Sequence, residues 1–208
     1  MMHVYIIDDD PEIQRSMAFM LMSEDIGSTS FGSAEEFLQH LPQLTPGCLL
    51  LDLRMPGISG LALQAQLHQA GCQMPVIMMT GHGEVSSAVR AMKDGAIDFL
   101  EKPFSKSDLM AALKAAGRAG EQPVVTSHEQ QKAEEQIAHL TNREREVLIG
   151  LVQGHLNKQI AYDLDISPRT VEVHRANVMK KLGVHSLSEM LQIAFLAGYS
   201  RLPDKAAG

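Results

Sequence analysis

Carboxylates and a lysine stand at the ends of short apolar runs in this chain. Asp52 closes Cys48-Leu49-Leu50-Leu51 and precedes the turn-forming Met55-Pro56-Gly57. Asp8, Asp9 and Asp10 follow Val4-Tyr5-Ile6-Ile7, and Lys102 follows Ile97-Asp98-Phe99-Leu100-Glu101. Runs of this kind read as buried strands, and open α/β sheets place their chemistry in the crevice beyond the carboxyl ends of the strands. Carboxylates gathered there repel one another, and a hard divalent cation relieves the repulsion. Mg²⁺ takes oxygen ligands, commonly one or two carboxylates plus phosphate and water. A carboxylate beside such an ion can attack phosphorus, and the ion and a lysine then stabilise charge on the transferring oxygens. Lys102 has the charge and the position for this, and Thr80, at the end of Pro75-Val76-Ile77-Met78-Met79, offers a hydroxyl. Each feature alone has a plainer reading: a solvated helix cap, a loop, a strand end. Their joint occurrence at four strand ends favours a pocket.

The elements that must position these groups alternate over the first 117 or so residues. Asp10 with Pro11, Ser33 with Glu36, Ser59 and Ser105 are helix-start signals, each followed by apolar residues at helical spacing. Gly71, Gly95 and Gly117 mark helix ends. With Thr29–Phe31 as a weak strand, this makes five strands alternating with five helices. That pattern predicts a doubly wound parallel sheet, flavodoxin-like, in the order 2-1-3-4-5. Asp8, Asp9 and Asp52 would then converge at the switch point.

Composition agrees with a globular chain: of 208 residues, 45% are hydrophobic and 21% charged. The two cysteines, Cys48 and Cys72, make no framework, and Cys48 reads as a small buried hydrophobe. Few thiols, no secretory leader and no long apolar run predict a cytoplasmic protein without a membrane span. The net charge of -7 is uneven: -6 over residues 1–120, -3 over 121–139 and +2 over 140–208. The acidic total therefore leaves room for a nucleic-acid partner at the C-terminal end.

Residues 118–128, with Gly120, Pro123 and Ser127, suit a linker, and 129–139 could be an exposed helix or a coil. From Leu140 the pattern is helical. Thr141 and Glu144 make a capping box, Ser167-Pro168 opens a longer helix, Gly183 ends it and Ser186 starts another. Four short helices make a small all-α bundle. Asn157–Asp165 and Ser167–Leu182 fit a helix-turn-helix, in which the second helix enters the major groove. Val171 and Val178 would face the core, leaving Arg169, Glu172, Arg175 and Ala176 to project outward. A protein-binding bundle with a charged face is the alternative on pattern alone.

Asp8-Asp9, Asp52, Thr80, Phe99 and Lys102-Pro103 resemble, in order and spacing, the receiver domain of bacterial two-component response regulators, over roughly residues 1–120. The resemblance implies that Asp52 accepts a phosphoryl group from a sensor histidine kinase. It implies that Mg²⁺ is held by Asp9, Asp52 and the backbone carbonyl of Arg54, with Asp8 acting through water. Lys102 would pair with the phosphoryl oxygens, Thr80 would move to hydrogen-bond them and Phe99 would rotate into the vacated space. The Lys102-Pro103 bond would be cis. Other phosphate chemistries fit less well. Gly81-His82-Gly83 lacks the third glycine of a dinucleotide fingerprint, no P-loop exists, and the second aspartate of haloacid-dehalogenase phosphatases is replaced by Arg54.

The stretches Leu140–Leu148, Asn157–Ala161, Ile166–Arg175 and Lys181–Val184 are similar to the LuxR-type DNA-binding domain, with Glu172 where most members have lysine. This resemblance implies DNA contacts from Lys158, Arg169, Thr170, Glu172, Val173, His174, Arg175, Asn177, Lys180 and Lys181. Together the two resemblances describe the NarL/FixJ class, most like its FixJ branch. They imply a receiver over 1–120, a linker over 121–139, a DNA-binding domain over 140–200 and a tail over 201–208. The implied protein is not an enzyme but a phosphorylation-activated regulator. It would dimerise through about residues 84–101 and the helix from Ser186, bind double-stranded promoter DNA and engage RNA polymerase. The competing expectation is a phosphorylation-independent interaction module whose acidic pocket is structural.

Overall fold

The computed structural model describes residues 2–81, 85–119 and 127–199. The middle of the glycine-rich stretch after Thr80, most of the linker and the tail lie outside the described residues. The chain divides into two compact units, Met1–His82 with Asp94–Gln122, and Gly83–Lys93 with Pro123–Gly208.

The first unit is built on a sheet of β1 (His3–Ile7), β2 (Ser28–Phe31), β3 (Gly47–Asp52), β4 (Val76–Thr80) and β5 (Asp98–Glu101). All pairings are parallel and the order is β2-β1-β3-β4-β5, as the alternation predicted. Alternation along each strand sends side chains to two faces. Val4, Ile6, Cys48, Leu50, Ile77 and Met79 share one core with α1 (Pro11–Met22) and α5 (Lys106–Ala119), which contribute Met17, Leu21, Leu109 and Leu113. Tyr5 faces the other way, its ring beside Phe31 and Phe37, the latter on α2 (Ala34–His40). The register Ile7↔Leu51 sets the ends of β1 and β3 side by side.

Caps fix where the helices begin. Asp10 accepts from the Glu12 N–H at 2.8 Å with Pro11 at the first position, and Ser33 accepts from the Glu36 N–H at 3.1 Å. Helix α3 (Gly60–Gln69) starts hard against β3: a Cβ on Gly60 would lie 2.2 Å from the Asp52 carbonyl oxygen, so only glycine fits.

The second unit contains α4 (Val85–Lys93), α6 (Ser127–Ala138), α7 (Asn142–Val152), α8 (Asn157–Leu164), α9 (Pro168–Leu182) and α10 (Leu187–Leu196). The segment left open between helix and coil is helical, and it buries Ala133 as well as Ile137, one turn apart. Thr141 and Glu144 form the reciprocal capping box of α7. Gly150 lets α7 approach α8, since a Cβ there would meet Ile160 at 2.8 Å. Asp165, at φ +53°, turns the chain between α8 and α9. Among the described residues no helix is long and apolar enough to cross a membrane.

Candidate functional site

Asp8 directly follows β1 and Asp52 ends the neighbouring β3, and both are buried, with exposures of 1% and 6%. Lys102 follows β5, two strands away from β3, and its long stem brings the ammonium back to both of them. Its Nζ lies 2.6 Å from Asp8 Oδ2 and 2.5 Å from Asp52 Oδ1. The other oxygen of each carboxylate accepts from backbone: Asp8 Oδ1 from the Asp10 N–H at 2.9 Å, Asp52 Oδ2 from the Arg54 N–H at 2.8 Å. Thr80 is buried at the end of β4, and its carbonyl accepts from the Lys102 N–H at 2.8 Å. Phe99 is half-buried in β5, opposite Met78. The Lys102-Pro103 peptide bond is cis.

Burial pushes the Asp52 carboxyl above its ordinary 3.8, and the charge of Asp8 adds to the rise. The Lys102 ammonium and the Arg54 N–H pull the other way without cancelling it. Burial likewise opposes the charge on Lys102, but its two carboxylate partners outweigh it and hold the ammonium above its ordinary range.

Asp9 does not join this pair. It is exposed, and among the described residues no three His, Cys, Asp or Glu side chains come together in a way that could hold a metal. The expected convergence of three aspartates is thus a convergence of two. The physical reason is that two buried carboxylates already outnumber the single Lys102 ammonium, and burying a third would add further unpaired negative charge.

In the second unit α9 buries Val171, Val178 and Leu182 and exposes Arg169, Glu172, Val173, Ala176, Asn177 and Lys180. Lys158 is exposed at the start of α8. Thr170 and His174 are half-buried; the Thr170 hydroxyl lies 2.8 Å from Ser167 Oγ. Two of the expected DNA contacts have partners on other helices of the unit. Arg175 does not simply project outward: it is half-buried and donates to Asn157 Oδ1 at 2.9 Å, joining α9 to α8. Lys181 lies 2.6 Å from Glu144 Oε2. Helical spacing alone could not reveal either partner.

Residues 4–114 match the response regulator receiver domain model. That match spans more than half of the chain. The chain belongs to the response regulator family. Residues 138–194 match the bacterial regulatory proteins of the luxR family, so the regulator carries both parts. It is 50% identical over 204 residues to the transcriptional regulatory protein FixJ of Azorhizobium caulinodans, covering 97% of this chain and 95% of that one. Identity to FixJ of Bradyrhizobium diazoefficiens is 45%, over 94% and 96% of the two chains. Among solved structures, full-length FixJ from B. japonicum matches with a TM-score of 0.56 at 45% identity, covering 94% of this chain and 97% of that one. The response regulator StyR matches with a TM-score of 0.54 at 38% identity, over 93% and 98%.

The regulator's pocket is supported by residues that the sequence alone did not single out. Gln14 of α1 donates to the Asp8 carbonyl at 2.6 Å and to the Phe31 carbonyl at 3.1 Å, fixing the end of β1. Glu35 accepts from the Ile58 N–H at 3.1 Å and so holds the loop that follows Asp52. Gly60 sits against the Asp52 backbone. Gln14 stands among the polar Glu12, Arg15 and Ser16, so it had no more local signal than Glu35 or Gly60.

Proposed function

We propose that this regulator is switched by phosphorylation of Asp52 and then acts on promoter DNA through α9. The carrying observation is the Lys102 ammonium held between Asp8 and Asp52, a cation already placed where phosphoryl oxygens would arrive. A sensor histidine kinase is the phosphoryl donor, and the Asp52 carboxylate is the nucleophile. Asp52 Oδ1 forms the new bond to phosphorus while the donor nitrogen leaves. Lys102 then transfers its contact from Asp52 to the incoming oxygens. Thr80, buried at the next strand end, turns its hydroxyl toward them, and Phe99 fills the space it leaves.

Mg²⁺ fits the donor set, since every candidate ligand is a hard oxygen and the two buried carboxylates exceed the charge of the one ammonium between them. Asp9 would turn in from solvent to hold it together with Asp52 and the Arg54 carbonyl, with Asp8 acting through water. Bound there, it supplies charge against the transferring oxygens.

Phosphorylation favours pairing of two copies through the surface around residues 84–101 and through α10, which presents two α9 helices to duplex DNA. RNA polymerase is the next partner. Moving such a switch from mostly off to mostly on takes roughly 5 kcal/mol of differential stabilisation. The product is a change in the protein's own charge in the cytoplasm, not a released metabolite.

The full chain incubated with Mg²⁺ and acetyl phosphate should gain the mass of one phosphate. Asp52→Asn should gain none. Labelling of that variant to the same extent would refute the assignment and favour a phosphorylation-independent module. Retention on duplex DNA should weaken steeply with salt.

A further inference from the structure

The exposed stripe of α9 carries an inference about base choice, and it rests on the reading of α9 as the DNA-contacting helix. Arg169, Val173, Ala176 and Lys180 recur along one face, with Glu172 beside them, opposite the buried Val171 and Val178. Chemistry divides this stripe. Lys180 is a point charge in the last turn, suited to phosphate. Ala176 offers one methyl group, and Val173 exposes 51% of its apolar surface. Within the stripe, Arg169 and Glu172 carry the planar, forked groups whose geometry suits a base edge.

These two are not independent. Arg169 Nη1 donates to Glu172 Oε2 at 2.9 Å, with the side chains 85% and 49% exposed. A glutamate facing DNA alone would bring negative charge into the field of the phosphates. Paired with a guanidinium, it meets that field nearly neutral. The guanidinium has five donors in a rigid fork, so engaging one edge with Glu172 leaves others free and restricts its swing. The fork matches the O6 and N7 acceptors of guanine in the major groove.

We propose that Glu172 is a positioning residue that aims Arg169 at a guanine, rather than a direct reader of cytosine. Val173, the next exposed side chain, supplies apolar contact for a thymine methyl group beside it. The recognised chemistry is a G·C pair in the major groove, read from its guanine side, next to a T·A pair.

The test is selection of sites from random duplex DNA by the phosphorylated full chain, as wild type, Arg169→Ala, Glu172→Ala and the double variant. The wild type should prefer guanine at one position of each half-site. Both single variants should weaken that same preference, by roughly tenfold or more for Arg169→Ala. The double variant should lose no more than Arg169→Ala does. A Glu172→Ala variant that relaxes a different position, or losses that simply add, would overturn the positioning role. Retention without a guanine preference that depends on Arg169 would overturn it as well, while leaving the DNA-binding function standing. No retention of any duplex by the wild type would remove both. Retained non-specific, salt-sensitive binding by the variants shows that they are folded.

Discussion

Lys181 Nζ lies 2.6 Å from Glu144 Oε2, so the last turn of α9 is tied to the first turn of α7. Glu144 Oε2 also accepts from the Thr141 N–H at 2.8 Å, within the capping box. One carboxylate thus serves a helix start and an interhelical ion pair. Lys181, expected among the DNA contacts by resemblance, has an intramolecular partner in Glu144.

Replacing Glu144 by alanine removes both contacts. The second unit should lose about 1–2 kcal/mol, the scale of a helix cap plus a partly exposed pair. Urea unfolding followed by circular dichroism measures this. Lys181→Met should cost less and should leave the salt dependence of DNA retention nearly unchanged, whereas Lys180→Met should lower its slope.

The pair also sets a pH dependence. The hydrogen bond from Lys181 holds the Glu144 carboxyl below its ordinary 4.5, against an opposing effect of burial, and the Thr141 cap contributes in the same direction as Lys181. A depressed carboxyl contributes stability above its unfolded value and loses it as pH falls through the folded value. Wild type and Glu144→Gln should therefore differ most at neutral pH and converge on acidification below 4.5. A constant difference down to the acid transition would show that the ion pair is not its source.

Asp52 shows the opposite sign. Burial first, then Asp8, keep its carboxyl above 3.8 despite Lys102, so ionised Asp52 costs the fold stability at neutral pH. Asp52→Asn should raise stability by about 0.5–2 kcal/mol near pH 7 while abolishing phosphorylation. Thermal melts across pH check it: the advantage should shrink as pH falls through the carboxylate range.

Gly60→Ala should disturb the Asp52 pocket without touching a charged group. The new Cβ would stand 2.2 Å from the Asp52 carbonyl oxygen, so the start of α3 or the end of β3 must move. A loss of about 1–3 kcal/mol is expected, the range for overpacking. Slower gain of phosphate mass from acetyl phosphate should accompany it.

Cys48 is fully buried in β3, and burial pushes its thiol up to about 12, whereas Cys72 is partly exposed. The folded protein should react quickly with a thiol reagent at Cys72 alone, and the urea-unfolded chain at both. Fast native labelling of Cys48 would contradict this burial.

Short-range signals were legible because their physics is local. Alternating apolar strands, the caps at Asp10, Ser33, Ser59, Thr141, Ser167 and Ser186, and the turn at Gly183 each act within about four residues. They sufficed for the strand order, for the helical second unit and for strand ends that carry Asp8, Asp52, Thr80 and Lys102. Helix α6 stayed ambiguous because its buried face is only Ala133 and Ile137 in an otherwise polar segment.

The sequence by itself determined which elements form and which chemical groups stand at their ends. Only the tertiary structure decided how those groups pair. It joined Lys102 to Asp8 and Asp52, residues 94 and 50 positions away, and left Asp9 in solvent. It bound Lys181 to Glu144 and Arg175 to Asn157, and pressed Gly60 against Asp52. Such choices depend on side-chain reach across packed elements and on whether a buried charge finds its opposite, and neither is a function of spacing along the chain.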